Sequence, residues 1–238
     1  MKKATRGIAL LTVFAAVSIS CNAVSAQEKT HVIDNFPVVL QEPELPTGCE
    51  ITAMTMLLNY YGYPVDKVTM ATEYLPCLPS SDLHTGENGV LYGNDLNKYF
   101  IGDPASEHGV ICGTEAILTA ANTYLDTEKS TMEAVDKTGS LPKELYELVD
   151  TDTPVMIWCT IGMEDRVVEQ GWFTENGAYV DWAKNDHGAV LVGHGKDTVT
   201  VADPISGLVE YSRQQFESVF ASRGNKCVIM QERNPKQN

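Results

Sequence analysis

The segment from residue 48 to residue 61 constrains the fold most, because it predicts a helix that is apolar on every side. Apolar side chains recur at helical spacing and also fill the opposite face: Ile51, Ala53, Met54, Met56, Leu57, Leu58 and Tyr61. A helix of this kind is buried among other elements of the fold. Gly62 and Pro64 follow it and predict its end. We therefore expect the rest of the chain to pack around this helix.

A cysteine lies at the predicted start of the helix. Thr47 and Glu50 are spaced like a capping box, in which Thr47 is the N-cap and Cys49 is the second helical residue. The dipole and free N–H groups of a helix N-terminus lower the pKa of a thiol, and the thiolate is the nucleophilic form. A free cysteine is also an ordinary small core residue. This motif by itself leaves both roles of Cys49 open.

Residues 1–26 predict a signal peptide. The segment begins with the positive charges of Lys2, Lys3 and Arg6 and continues with a short apolar run at 8–19. It ends with the small residues Val24-Ser25-Ala26, which match a cleavage site. Lipid modification of Cys21 is the alternative, but Ser18 stands where such sites usually have Leu, so we favour cleavage after Ala26. Either interpretation predicts an exported protein that is secreted or held at the cell surface, with residues 27–238 as one domain.

The charge of the remaining chain limits its partners. Removing Lys2, Lys3 and Arg6 from the 17 Lys+Arg leaves 14 against 32 Asp+Glu, a net charge of −18. Such a surface repels nucleic acid and anionic membranes, so we expect neither as a partner. After residue 26 no apolar run is long enough to span a bilayer. We expect a monomer with a single sizeable core.

The cysteine count has consequences in an oxidising compartment. Five cysteines follow residue 26, at positions 49, 77, 112, 159 and 227. An odd number favours one free reactive thiol, for which Cys49 is the candidate. Cys77 and Cys112 lie in loop-like sequence and predict a disulfide, whereas Cys159 and Cys227 lie in apolar, strand-like runs. There is no Cys-x-x-Cys pair and no histidine at metal-ligand spacing, so we expect neither a zinc site nor a cofactor.

The order of the predicted elements indicates the fold class. Periodicity and breakers predict helices at 48–61, 67–73, 113–125, 141–150 and 213–222. Short apolar runs predict strands at 154–159, 187–192, 198–202, 208–211 and 226–230, and a hairpin around 175–177. Helices come first and antiparallel strands later, which predicts an α+β fold with a helical half packed on a sheet half. The long Gly- and Pro-rich segment 74–113 is interpreted as a substrate-facing loop.

A thiol nucleophile needs a base, and that base needs an orienting group. His187 begins a predicted strand, and Asp203 ends the next strand of the same antiparallel pair, so the two should lie at a similar level. A carboxylate beside an imidazole selects its tautomer and stabilises the imidazolium. His194 is the rival base, but it lies at the far end of the same strand. His187 and His194 therefore cannot both face Cys49.

The sequence resembles the bacterial papain-like cysteine peptidases, and within them the C39-like group, relatives of the bacteriocin-leader peptidases. The matching segments, in the order of the family, are Gln41, Pro46-Thr47-Gly48-Cys49-Glu50, residues 57–63, residues 187–193 and Ala202-Asp203-Pro204. The likeness as a whole runs over about residues 36–231, which is nearly all of the chain after residue 26. Each segment is a weak signal alone, and their order makes the combination specific.

The resemblance implies a papain-like fold, in which the helix that carries the cysteine packs across an antiparallel sheet. It implies Cys49 as nucleophile, His187 as general base and acid, and Asp203 as the orienting residue. Gln41 would join the Cys49 backbone N–H in an oxyanion hole. The implied activity is cleavage of peptide or isopeptide bonds in a peptide or protein substrate. Amide transfer or deamidation on the same residues, and a non-catalytic binding module that keeps the fold, are the alternatives.

Overall fold

The computed structural model describes residues 30–87, 89–169 and 171–234. The predicted signal peptide, including Cys21, lies outside these residues. Within them, no helix combines the length and the apolarity that crossing a membrane requires.

The five predicted helices are confirmed with small changes at their ends. They are α1 (Cys49–Tyr60), α2 (Lys67–Thr69), α3 (Thr114–Thr127), α4 (Pro142–Val149) and α5 (Arg213–Ser222). The short α2 continues directly into a π-helical turn, Met70–Tyr74. As its sequence predicts, α1 is buried on all sides, and its first ten residues, Cys49 to Leu58, are all buried.

The strands form one large sheet and two small ones. They are β1 (His31–Val32), β2 (Cys77–Leu78), β3 (His84–Thr85), β4 (Leu91–Tyr92), β5 (Phe100–Ile101), β6 (Met132–Asp136), β7 (Val155–Thr160), β8 (Trp172–Phe173), β9 (Tyr179–Val180), β10 (Asp186–His194), β11 (Thr198–Asp203), β12 (Gly207–Ser212) and β13 (Cys227–Glu232). The seven-stranded sheet is antiparallel and has the order β12-β11-β10-β7-β13-β6, with β1 also paired to β10.

This sheet is covered by helices on both faces. Alternate residues of a strand point to opposite faces, and in β7 Met156 and Trp158 join one hydrophobic cluster while Val155 and Ile157 join another. The first cluster contains the buried side chains of α1 and α3, and the second contains those of α4 and α5. The α+β class with an antiparallel sheet is therefore confirmed, with α1 packed across β10 and β7.

The segment from residue 74 to residue 113 contains more structure than its sequence indicates. Its short strands β2 and β5 pair in parallel, and β3 and β4 join β8 and β9 in a four-stranded sheet. The hairpin predicted around 175–177 is confirmed as the β8–β9 pair. The long segment is therefore held against the body of the fold beside the start of α1.

The predicted disulfide between Cys77 and Cys112 is wrong. Both thiols are free, as are those of Cys49, Cys159 and Cys227. Cys77 is exposed on β2, whereas Cys112 is 1% exposed and lies within the hydrophobic cluster around α1. The indole Nε1–H of Trp158 donates to the carbonyl oxygen of Cys112 at 2.8 Å, which fixes this residue in the core. Loop-like sequence did not reveal that only one of the two thiols is buried.

Replacement of Gly188 tests the contact between α1 and the large sheet. A Cβ at Gly188 would lie 2.9 Å from both Cα and Cγ of Glu50, closer than real atoms approach. We therefore expect Gly188→Ala to lower the free energy of unfolding by roughly 1–3 kcal/mol, because β10 or α1 must shift. Urea unfolding monitored by tryptophan fluorescence measures the change.

Gly195→Ala is the matched control. It lies just beyond β10, and a Cβ there would meet no atom closer than 3.6 Å. We expect it to change the free energy of unfolding by less than about 0.5 kcal/mol. Equal effects of the two substitutions would show that the contact of Gly188 with Glu50 does not limit how closely α1 and β10 pack.

Candidate active site

Cys49 is the first residue of α1, and the predicted capping box does not form. The N-cap is Gly48, and no side chain caps the helix. Thr47 instead turns toward the loop that precedes α3, where its hydroxyl donates to the carbonyl oxygen of Ser106 at 2.9 Å. The capping prediction failed because this loop offers Thr47 acceptors that are distant in sequence. The same bond holds the loop against the start of α1.

The environment of the Cys49 sulfur differs from the sequence-based expectation. Burial raises the pKa of the Cys49 thiol well above its ordinary value, and the neighbouring Glu50 raises it further. The backbone N–H of Gly188 donates to the sulfur and opposes this effect without overcoming it. The predicted lowering of the pKa by the helix terminus is therefore wrong. The resting group is a thiol, and it needs a base at the moment of reaction.

His187 and Asp203 are paired as predicted. Nε2 of His187 lies 3.0 Å from Oδ2 of Asp203, and the two residues are 1% and 3% exposed. The other oxygen of Asp203 accepts the backbone N–H groups of Ile205 at 2.7 Å and Ser206 at 3.0 Å. Burial works to raise the pKa of Asp203, but the hydrogen bond from His187 and those from the turn hold it below its ordinary value. The carboxylate is therefore ionised.

This pairing defines the tautomer of His187. An ionised carboxylate only accepts hydrogen bonds, so Nε2 of His187 carries the proton that it shares with Asp203. Nδ1 then presents a lone pair, and this atom is buried without a hydrogen-bond partner among the described residues. An imidazole with one nitrogen held and the other available is arranged to act as a base.

Gln41 is connected to the same turn. Its backbone N–H donates to the carbonyl oxygen of Pro204 at 2.7 Å, directly after Asp203. Its side-chain Nε2 donates to the carbonyl oxygen of Pro46 at 2.7 Å, which leaves the second N–H of the amide available. The ammonium of Lys67 donates to the carbonyl oxygens of Leu40 and Gln41 at 2.5 and 2.7 Å and so fixes this segment. Sequence analysis did not identify this role of Lys67.

Three of the four sequence-predicted residues line one cleft of about 410 Å³, namely Gln41, Cys49 and His187. Asp203 lies behind His187. The apolar side chains of Ile161, Trp182 and Ile205 line the same cleft, as do residues 107–110 of the loop held by Thr47. The chain thus brings a thiol, an oriented imidazole and an amide to one depression large enough for part of an extended peptide.

His194 does not take part in this cleft. Its Nε2 lies 3.1 Å from Oδ1 of Asp150, and its ring stacks on Tyr146 with the ring centroids 4.9 Å apart. Both contacts belong to the side of the sheet that α4 and α5 cover. The prediction that His187 and His194 cannot serve one site is confirmed.

Sequence analysis missed the buried ionisable residues that follow Cys49 and precede His187. Glu50 follows Cys49 and is 0% exposed, and neither of its carboxyl oxygens has a hydrogen-bond partner among the described residues. Burial raises its pKa to about 8. Asp186 precedes His187 and pairs with Arg166 at 3.1 Å and with Arg223 at 3.2 Å. Glu50 had been explained by a helix cap, and nothing in the sequence connects Arg223 to this region.

The sequence profile of the Peptidase_C39 like family matches residues 33–228, which is most of the chain and includes all four candidate residues. The chain belongs to this peptidase family. It is 28% identical over 195 residues to the uncharacterized protein YvpB of Bacillus subtilis (strain 168), an alignment that covers 81% of this chain and 72% of YvpB. Membership of a peptidase family implies a protein or peptide substrate.

A solved structure gives the same result for the fold of this C39-like chain. The crystal structure of a protein from Bacillus anthracis, described as a C39-like peptidase, superposes with a TM-score of 0.74 at 28% sequence identity. The superposition covers 87% of this chain and 99% of that one. The helices and the antiparallel sheet that carry the candidate site are therefore shared with that structure.

Replacement of Glu50 tests the buried carboxyl group. The pKa of the Glu50 carboxyl is about 8 in the native state, compared with an ordinary pKa of 4.5. Between these values the native state binds more protons than the unfolded state, so the free energy of unfolding falls as the pH rises. The free energy of unfolding falls by about 1.4 kcal/mol for each tenfold difference in proton affinity between the native and the unfolded state. We expect Glu50→Gln to match the parent protein near the acidic end of this window and to be more stable by a few kcal/mol at its alkaline end.

The measurement is urea unfolding across this pH range, with Glu73→Gln as the control. Glu73 is exposed on the turn after α2, so its replacement should leave the pH dependence unchanged. A Glu50→Gln variant whose stability follows the same pH profile as the parent protein would contradict the buried, neutral state of Glu50.

Proposed function

We propose that this protein is a cysteine peptidase that cleaves peptide or isopeptide bonds through an acyl-enzyme on Cys49. The observation that carries the proposal is the state of His187. One ring nitrogen is held by Asp203 at 3.0 Å, and the other is buried without a partner in the cleft that Cys49 also lines. This arrangement suits a base that must take a proton from a neighbouring thiol.

In the first half of the reaction the sulfur of Cys49 attacks the carbonyl carbon while Nδ1 of His187 takes the thiol proton. Because burial keeps the resting thiol protonated, deprotonation accompanies attack. Asp203 stabilises the imidazolium that forms. His187 then gives the proton to the amine nitrogen as the C–N bond breaks. The products are the free amine and a thioester on Cys49.

In the second half a water molecule replaces the amine. His187 takes a proton from the water, whose oxygen attacks the thioester carbon, and the C–S bond breaks. The sulfur leaves as the thiol after it receives the proton from His187, and the acid is released. An amine in place of water would give transfer instead of hydrolysis, and a side-chain amide as substrate would give deamidation. The machinery is the same in all three reactions, so product analysis distinguishes them.

The oxyanion of the tetrahedral intermediate requires donors beside Cys49. The N–H of Cys49 lies in the first turn of α1, where backbone donors have no intrahelical partner. The side chain of Gln41 has one amide N–H beyond the bond to Pro46 and lines the same cleft. Together they support the assignment of Gln41 and Cys49 as the oxyanion hole.

The proposal extends to where the protein acts. Its support is the leader-like sequence of residues 1–26, which would place a monomeric peptidase outside the bacterial cytoplasm, secreted or at the cell surface. N-terminal sequencing of the protein recovered from its native cell tests this. A first residue of Gln27 agrees with it, and an intact Met1 in the cytoplasmic fraction contradicts it.

Alkylation with iodoacetamide tests the pair formed by Cys49 and His187. We expect His187→Ala to slow alkylation of Cys49 by at least tenfold, because the base that removes the thiol proton is lost. Mass mapping separates Cys49 from the exposed Cys77, which serves as an internal reference and should react at an unchanged rate. His194→Gln is the matched control, since it alters a buried histidine of the same strand. Alkylation of Cys49 that is independent of His187 would count against the pair.

Replacement of Gln41 tests the oxyanion hole. We expect Gln41→Ala to lower kcat/KM by about 10²–10³ on the best peptide found in a library digest, since one oxyanion donor contributes that much. Alkylation involves no oxyanion, so the rate of labelling at Cys49 should change little. A loss of activity below tenfold, or an equal loss in alkylation, would show that Gln41 has another role.

A further inference from the structure

A second cavity of about 340 Å³ adjoins the cleft. Asp186 belongs to the walls of both, and two chain segments run from one to the other. Residues 107–110 line the cleft and residues 111–113 line the second cavity. Trp182 lines the cleft and residues 179–181 line the second cavity. The two cavities are therefore neighbours, with Asp186 in the wall of both.

The second cavity is lined by charged side chains of both signs, and its carboxylates are Asp95, Asp181 and Asp186. Three cations line it, Arg166, Arg223 and Lys226, in a chain with 17 Lys+Arg against 32 Asp+Glu. Arg166 is fully engaged by Asp181 at 2.6 Å and by Asp186 at 3.1 Å. Arg223 makes one ion pair with Asp186 at 3.2 Å, and its Nε has no partner among the described residues.

Lys226 has no partner for its ammonium group. Within the described part of the chain, its side chain makes neither a hydrogen bond nor an ion pair. Burial, and after it the positive charge of Arg223, lowers the pKa of Lys226. Lys226 is half-buried, and a cation that is partly removed from water without a counter-ion loses solvation that nothing replaces. The ion pairs of Arg166 and Arg223 with Asp186 form without Lys226.

The carboxylates nearby do not supply the missing charge. Asp181 and Asp186 are already shared by Arg166 and Arg223. Asp95 lines the same cavity but accepts the N–H of Asn97, and it is not among the main charges that act on Lys226. Asp136 acts on Lys226 more weakly than the other neighbouring charges and is held by Thr114 and Thr138.

Glu50 does not supply the missing charge either. Burial raises its pKa to about 8, so it is neutral at neutral pH. Three cations and three carboxylates line the cavity, but none of these carboxylates contacts Lys226. The ammonium of Lys226 is therefore available to an anion from outside.

We propose that the second cavity is a substrate subsite in which Lys226, supported by Arg223, binds a carboxylate of the peptide whose scissile bond lies at Cys49. The carboxylate is either an Asp or Glu side chain or the C-terminus of the peptide. The proposal rests on the proposed peptidase function. A carboxylate suits the site because an ammonium is a compact point charge and requires no bidentate geometry.

Matched peptides test this subsite. At each position near the scissile bond, the library contains one peptide with Glu and a matched peptide with Gln, and likewise one with Asp and one with Asn. Each peptide is made with a free and with an amidated C-terminus. We expect the parent enzyme to prefer the acidic member at one position by about tenfold in kcat/KM, the value of one hydrogen bond to a charged group. A preference for Glu over Gln or for Asp over Asn shows that the site binds a side-chain carboxylate. A preference for the free over the amidated peptide shows that it binds the C-terminus.

Substitutions of Lys226 test whether the second cavity causes the preference for acidic peptides. We expect Lys226→Gln to reduce it to less than about twofold while activity on the neutral peptides stays within about threefold, and Lys226→Arg to retain most of it. Lys143→Gln is the control, because Lys143 is 83% exposed on α4 and should have no effect. A parent enzyme without acidic preference at any position, a preference that survives Lys226→Gln, or an equal loss in Lys143→Gln would each overturn the proposal.

A binding measurement tests the carboxylate site independently of the peptidase assignment. The Cys49→Ala variant should bind a fluorescent acidic peptide about tenfold more tightly than its amide counterpart in fluorescence anisotropy, and the added Lys226→Gln change should abolish the difference. If no peptide is hydrolysed but this difference appears, the peptidase assignment fails and the carboxylate site stands. Equal affinities for the two peptides would overturn the site itself.

Discussion

The contact between the first turn of α1 and the beginning of β10 is the constraint on which the site depends. Gly188 has no side chain at the point where the strand passes Glu50, and a Cβ there would lie 2.9 Å from the helix backbone. The Gly188 N–H reaches the sulfur of Cys49 across this contact. Cys49 precedes Glu50, and His187 precedes Gly188. The contact between Glu50 and Gly188 therefore also brings Cys49 and His187 together.

Burial has different consequences for the three acidic groups of the site. Cys49 and Glu50 lack sufficient donors, so burial raises the pKa of each and both are protonated at rest. Asp203 is buried as well, but His187 and two N–H groups of the following turn hold its pKa down. The site therefore has one ionised carboxylate behind the imidazole and a neutral thiol in front of it.

The sequence predicted the helices and the α+β class because each rests on a short-range pattern, whereas Gln41 was proposed only from the resemblance to the peptidase family. Apolar periodicity predicted α1, and the order of strands placed His187 and Asp203 at one end of neighbouring strands. The wrong predictions depended on contacts between distant segments. Thr47 bonds to Ser106 instead of capping α1, and Cys112 lies in the core while Cys77 is exposed. Local sequence carries no information about such partners.

By itself, the sequence determined that a wholly apolar helix begins beside a cysteine and that a histidine strand and an aspartate turn follow later in the chain. Those features depend on residue type and spacing, which the order of residues specifies directly. Only the tertiary structure decided the ionisation of Cys49 and Glu50, the tautomer of His187, and the gathering of Arg166, Arg223 and Lys226 beside the cleft. The reason is physical, because desolvation and Coulomb interactions depend on distances in space between groups that lie far apart along the chain.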